Sequence, residues 1–193
     1  MTTRAALAFV LNQVGAVWSA GLPGFATAFP PSPDAPVWAN LGPLDIASWS
    51  AECALDELVT RLTVPFDWDY AAGQAAQSLI AEAPAAAKIH GAREATLDLP
   101  WVKDARQALA VATKWLQWRA RPRWIGRFET GPTSRDLQPG VWIGIQHPSF
   151  PVSGEYVVTD VDPGYGRGGV TVTAEAPAGV VPPVSLVQAS AAF

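Results

Sequence analysis

The sequence predicts an α+β chain in which amphipathic helices lead into a small antiparallel β-barrel or sandwich in the C-terminal part. Three observations carry that expectation. A stretch near residue 104 has helical periodicity behind a capping signal. Five short apolar runs follow at about 12-residue spacing. Turn signals punctuate them: Gln138-Pro139-Gly140, Pro151-Val152-Ser153-Gly154 and Asp162-Pro163-Gly164.

Each element has a local reason. Leu7, Leu11, Val14 and Trp18 recur at helical spacing, so residues 3–19 read as a first helix, stopped by Gly21 and Pro23. Gly24 to Pro43 is proline-rich and reads as an extended crossing. Trp49 to Leu62 reads as a short helix or turn, with Cys53 buried among Trp49, Leu55 and Leu58. Leu62-Thr63-Val64-Pro65-Phe66-Asp67-Trp68-Asp69-Tyr70 alternates apolar and polar residues, which predicts a strand; Pro65 has no N–H to donate and so places it at an edge. The alanine-rich 71–87 reads as loop or weak helix. Asp104 and Gln107 have the spacing of a capping box, and Ala108, Val111, Ala112, Trp115 and Leu116 make an apolar stripe, predicting a helix over 104–120 that Pro122 ends. The predicted barrel strands are Arg123–Glu129, Val141–Gln146, Glu155–Val161, Gly169–Ala174 and Val184–Gln188.

Composition narrows the function classes. The 193 residues are 49% hydrophobic and 16% charged, with nine tryptophans. An average globular chain has roughly 25% charged residues, so part of this surface is expected to be covered by a partner. The net charge of −4 argues against a general nucleic-acid binder. Its distribution is uneven: the balance is −6 over residues 1–87, +6 over 88–135 and −4 over 136–193. A basic band between acidic flanks favours head-to-tail or ring-like self-association. One cysteine excludes an internal disulfide, and there is no Cys/His spacing for zinc. No apolar run reaches the ~20 residues of a membrane-spanning helix.

Catalytic signals are weak. His90 and His147 stand beside no recognisable nucleophile motif. Alternation would place Asp67 and Asp69 on one strand face, the paired carboxylates of a glycosidase, although a half-exposed strand with Asp outward explains them as well. The densest feature is the run Lys114 to Arg127, where tryptophans alternate with cations. Single-strand nucleic-acid binders use such a mixture. The favoured reading is structural: Trp115 and Leu116 belong to the helix stripe, Trp124 and Phe128 share a strand face, and Arg123 and Arg127 line the opposite one. Trp115, Trp118, Arg119, Arg121, Arg123, Trp124 and Arg127 are therefore the candidate interface. No catalytic, cofactor or metal residues are assigned, and no sequence-specific nucleic acid or membrane is expected as a partner.

From Leu62 to Phe193 the chain resembles the tail-tip or baseplate hub proteins of tailed bacteriophages and gene transfer agents. The matching pieces are Arg61-Leu62-Thr63-Val64-Pro65-Phe66-Asp67, then His90-Gly91-Ala92-Arg93-Glu94, where the family tends to have Tyr-Gly-x-Arg. Leu97-Asp98-Leu99-Pro100-Trp101-Val102-Lys103-Asp104 follows, then an alanine-rich helix ending in Arg121-Pro122-Arg123, then Leu137-Gln138-Pro139-Gly140 and Gln146-His147-Pro148. Leu11 to Trp18 looks like the helix that precedes a hub's sheet. Val141 departs from the family's habit of placing Asp after Pro-Gly, and the chain is short for a full hub. The resemblance implies residues 1–60 as a helix and extended segment completing a small hub subdomain, and 61–193 as a hub-like domain with an edge strand, the 104–120 helix and a barrel over 123–190. It further implies a non-enzymatic virion component at the tail tip, commonly trimeric, without cofactors. Its partners would be other hub subunits and distal tail proteins, and its role to close the tail tube and anchor central tip or fibre proteins. The alternative function is a tail-associated protein that binds or cleaves cell-wall glycan.

Overall fold

The computed structural model describes residues 10–11, 13, 16–18, 26–28, 35–131, 134, 136–148, 154–162, 164, 169–179 and 181–191. Most of the predicted 3–19 helix lies outside them; Val10 and Leu11 are helical, but Ala16–Trp18 is a strand (β1) pairing with Ala26–Ala28 (β2), so no helix continues to residue 19. Of the expected turns, residues 151–153 and Pro163 also lie outside the described residues.

The remaining strands are β3 (Val37–Leu41), β4 (Ile46–Cys53), β5 (Arg61–Asp69), β6 (Gln74–Glu82), β7 (Glu94–Thr96), β8 (Arg123–Thr130), β9 (Trp142–Ile145), β10 (Gly154–Asp162), β11 (Val170–Pro177) and β12 (Ser185–Ala191). Besides the helical Val10 and Leu11, two helices accompany them among the described residues, α1 (Pro84–His90) and α2 (Ala105–Arg119). The chain is thus mostly β, which corrects the α+β expectation of amphipathic helices with a barrel. Its strands form two open mixed sheets, besides the β1–β2 pair, and neither sheet is a closed barrel.

The chain divides into two compact units. The first comprises residues 1–16, 56–122 and 179–193. Its sheet has the order β12-β6-β5-β7, with β7 parallel to β5 and the other pairs antiparallel. Leu62, Val64 and Phe66 alternate along β5 and are buried, as are Leu79 and Ala81 on β6. They form one core with Ala108, Ala112 and Leu116 of α2, the stripe expected from the sequence. Asp104 caps this helix, its Oδ1 accepting from Arg106 N at 2.6 Å and Gln107 N at 3.1 Å.

Pro65 lies in an inner strand, not at an edge. β7 pairs only with Arg61 to Thr63; beyond it an irregular stretch follows, where Leu99 N donates to the Pro65 carbonyl at 2.9 Å. That side requires an acceptor from Pro65, which proline supplies. Residues 74–82, expected as loop or weak helix, form β6: ladders on both sides override the helical preference of alanine.

The second unit comprises residues 17–55 and 123–178 and holds a sheet of order β3-β9-β10-β11-β8-β4. Of Trp49 to Leu62, expected as a short helix or turn, Trp49 to Cys53 belong to its edge strand β4, and a turn follows at residues 56–57. Cys53, expected to be buried, is exposed there, because only one neighbouring strand covers it. β3 and β4 occupy opposite edges yet are joined by residues 42–45 alone. That connection reaches at most about 18 Å, whereas six flat strands would separate the edges by roughly 24 Å. The sheet must curl. Register shifts at Val37/Ala39, Ile46/Ser48 and Val158/Asp160 supply the bends. Trp49 of β4 consequently lies 6.2 Å, between ring centroids, from His147, just past β9 near the other edge. Phe128, Ile143, Ile145, Tyr156, Val158, Val170 and Val172 form the core of this unit. The expected barrel is not formed: the sheet stays open at β3 and β4, and the expected fifth barrel strand, β12, belongs to the other unit's sheet.

Candidate functional site

The run from Lys114 to Arg127 is split between the two units at Pro122. Trp118 is buried, and Trp115 is partly buried against the core under α2. Arg119 sits over the Trp115 ring, 5.8 Å from its centroid, and pairs with Glu57. Arg121 Nε donates to Gln117 O at 2.9 Å and its Nη1 to Gly179 O at 3.2 Å. Burial lowers the pKa of that guanidinium from its ordinary value.

Across the break, Trp124 packs on the core of the curled sheet together with Phe128, as the shared strand face requires. Arg123 is fully buried and ion-paired with Glu175 of β11. Arg127 alone of the seven is exposed. Ion pairing, cation–π contact and core packing therefore engage most of the candidate set within its own unit, and Arg127 is the member presented to solvent.

The Asp67/Asp69 pair does local structural work. Asp69 Oδ1 accepts from Ala71 N at 2.8 Å and Ala72 N at 3.2 Å, closing the turn into β6. Asp67 has φ 56°, and its N–H reaches Val102 O at 2.8 Å. Its Oδ2 accepts from Gln77 Nε2 at 3.5 Å. Asp tolerates this left-handed conformation better than β-branched residues do. Asp67→Val is therefore expected to lower stability by about 1–2 kcal/mol, with Asp67→Gly close to the parent. Chemical denaturation of the two variants checks this; equal loss in both would mean that the side chain, not the backbone, sets the cost.

The distortion at Asp67 accompanies a feature that sequence reading missed. Pro65, Trp68 and Tyr70, from β5 and the turn after it, face Asp98, Pro100 and Trp101 across a groove of about 440 Å³. Trp68 is 38% exposed, Trp101 50% and Tyr70 75%. Trp101 Nε1 donates to Tyr70 Oη at 3.1 Å, which ties the two walls together. The Asp98–Trp101 wall hangs on the sheet through Trp68 N, which donates to Pro100 O at 3.0 Å. Buried Gln13 braces it further: Nε2 donates to Asp98 O at 3.1 Å and Oε1 accepts from Trp101 N at 3.3 Å. The available sequence signal was a pair of prolines each leading into aromatic residues near a turn, Pro65 to Tyr70 and Pro100-Trp101.

In the other unit, Asn40, Gly144, Gln146, His147, Pro148, Gly154 and Glu155 line a more polar depression of about 530 Å³. His90 ends α1 ahead of Gly91, whose φ of 80° suits glycine after a helix. Among the described residues, no group of three or more His, Cys, Asp or Glu is placed to hold a metal ion. No described helix is long and apolar enough to cross a membrane.

Residues 67–159 match a family model described as a putative phage tail protein. No curated protein matches the sequence. The chain is similar to the tail protein from Neisseria meningitidis MC58, at 14% identity and TM-score 0.53, over 93% of this chain and 56% of that one. It is similar to a chain of the native gene transfer agent virion, at 20% identity and TM-score 0.54, over 95% of this chain and 43% of that one. The 43 kDa tail protein of prophage MuSo2 from Shewanella oneidensis aligns at 12% identity and TM-score 0.52, over 90% and 53% of the two chains. At these identities the likeness is one of fold. This chain spans about half the length of the structures it matches. The resemblance to phage-type tail proteins holds in sequence over 67–159 and in fold over most of the chain.

Proposed function

We propose that this chain is a structural subunit of a phage-like tail, seated in the hub at the tail tip or baseplate, where it helps close the tube and anchors central tip or fibre proteins. The observation that carries this reading is the coincidence of a tail-protein sequence match with a tail-protein fold over 90–95% of the chain. The charge pattern supports it: a basic band of +6 between acidic flanks favours ordered contacts between copies in a ring. A trimer is the arrangement that the hub resemblance favours. Arg127, exposed on β8, is the member of the candidate interface best placed to meet a neighbour.

Immunogold labelling of purified particles tests the placement. Label confined to the tail tip, together with co-purification of the chain with tails, is the expected result. A stable monomer in solution that is absent from particles would overturn the proposal. Arg127→Glu is expected to lower incorporation into particles while changing folding stability by only about 0.5 kcal/mol, as exposed positions do.

One observation favours a second reading, glycan binding at the cell wall: the exposed rings of the groove. Retention of the chain on insoluble peptidoglycan measures it directly.

A further inference from the structure

The groove beside β5 has the chemistry of a peptide site, and we propose that it binds an extended, proline-containing, basic segment of another protein. Its walls are ring faces and proline rings: Trp68, Tyr70 and Trp101 with Pro65 and Pro100. The rings are held before any ligand arrives. The Trp101–Tyr70 hydrogen bond spans the groove, the Asp69 carboxylate fixes the turn that carries Tyr70, and buried Gln13 fixes the segment that carries Trp101. Rings preset in this way lose little freedom on binding.

The occupant follows from the polar groups present. Tyr70 Oη accepts from the Trp101 indole and keeps its own proton to donate, which suits a backbone carbonyl. Polyproline II segments offer such carbonyls without internal partners, and their ridged, pre-ordered shape fits between aromatic rings. Asp98 is the charged residue of the lining among the described residues, and it calls for a cation on the ligand. A sugar ring is edged with hydroxyls and needs several polar partners, whereas among the described residues the lining side chains offer one carboxylate and one phenol beside the indoles. The chain's own proline stretch, Pro30-Pro31-Ser32-Pro33-Asp34-Ala35-Pro36, carries an acid and no base. A second copy is therefore a poorer occupant than a different polypeptide.

The test titrates the full chain by calorimetry with a synthetic ten-residue peptide of alternating prolines and two arginines. Parallel titrations use a peptide of residues 28–37 and a soluble peptidoglycan oligosaccharide. Saturable binding of the basic peptide is expected, weakened about tenfold or more by Trp101→Ala, as for an aromatic anchor. Asp98→Asn is expected to weaken it by a few-fold and to remove most of its salt dependence. Tyr70→Phe keeps the ring and removes the hydroxyl, so a loss there reports the hydroxyl's two hydrogen bonds, the one donated to the ligand and the one accepted from Trp101, even if Trp101→Ala proves poorly folded by circular dichroism. No binding of the basic peptide at millimolar concentration overturns the proposal, as does binding that folded Trp101→Ala, Tyr70→Phe and Asp98→Asn all leave unchanged. Tighter binding of the oligosaccharide, or of the 28–37 peptide, overturns it in favour of that occupant.

Discussion

Glu175→Ala is expected to lower the unfolding free energy by about 3–5 kcal/mol, enough to remove a large share of the 5–15 kcal/mol typical of a domain. The cause is the environment of Arg123. That side chain has 0% exposure and is ion-paired with Glu175, itself only 14% exposed, so truncating Glu175 takes a carboxylate away from a buried cation. Losing the carboxylate is worse than losing the pair. Arg123→Met combined with Glu175→Met is therefore expected to recover much of the stability lost in Glu175→Ala, because apolar residues of similar volume need no solvation. Urea denaturation of the single and double variants decides it. A Glu175→Ala loss under about 1 kcal/mol would mean that the guanidinium finds water or another acceptor.

Phe66→Ala is expected to cost about 3–5 kcal/mol, the range for removing a buried aromatic ring. Phe66 is 1% exposed and belongs to the core that β5, β6 and α2 share. The milder Phe66→Leu should cost under about 1.5 kcal/mol, since it leaves less empty volume. The residue also immediately precedes Asp67 and Trp68, so truncation is expected to loosen the groove. Increased quenching of tryptophan fluorescence by acrylamide, below the unfolding transition, reports this. Unchanged quenching with a full stability loss would separate the core from the site.

Local chemistry was enough for several elements. Asp104 ahead of the Ala108-Ala112-Leu116 stripe specified α2, because an N-cap and a helical period depend only on near neighbours. The runs that became β8, β9, β10 and β11 were each bounded by turn residues or a proline, and β11 alternates buried and half-buried residues along its whole length. Where local preference and tertiary pairing conflicted, reading the sequence failed. Gln74-Ala75-Ala76-Gln77-Ser78 favours helix by composition but is held as strand by β5 and β12, the latter more than a hundred residues away. β4 reads as mixed polar sequence because one edge of it and most of its side chains face solvent.

The candidate interface shows the same limit. Arg123 and Arg127 are four residues apart on one strand, and spacing alone made them equivalent. One is buried against Glu175 and the other exposed, a difference set by a carboxylate 52 positions further along the chain. The groove was out of reach for a related reason: Gln13, Trp68 and Trp101 are remote in sequence and meet only through pairing of the 97–102 stretch with β5.

By itself the sequence determined a globular chain poor in charge, most strand and turn positions of its C-terminal half, one capped helix and a likeness to phage-type tail proteins. These rest on periodicity, capping, turn residues and motif order, all of which act over short distances. Only the tertiary structure decided that the C-terminal strand joins a different sheet from the four before it, that the six-stranded sheet curls without closing, and which cations and rings remain in solvent. Those outcomes depend on which distant segments satisfy each other's backbone groups and charges, and burial is a property of that pairing rather than of any residue alone.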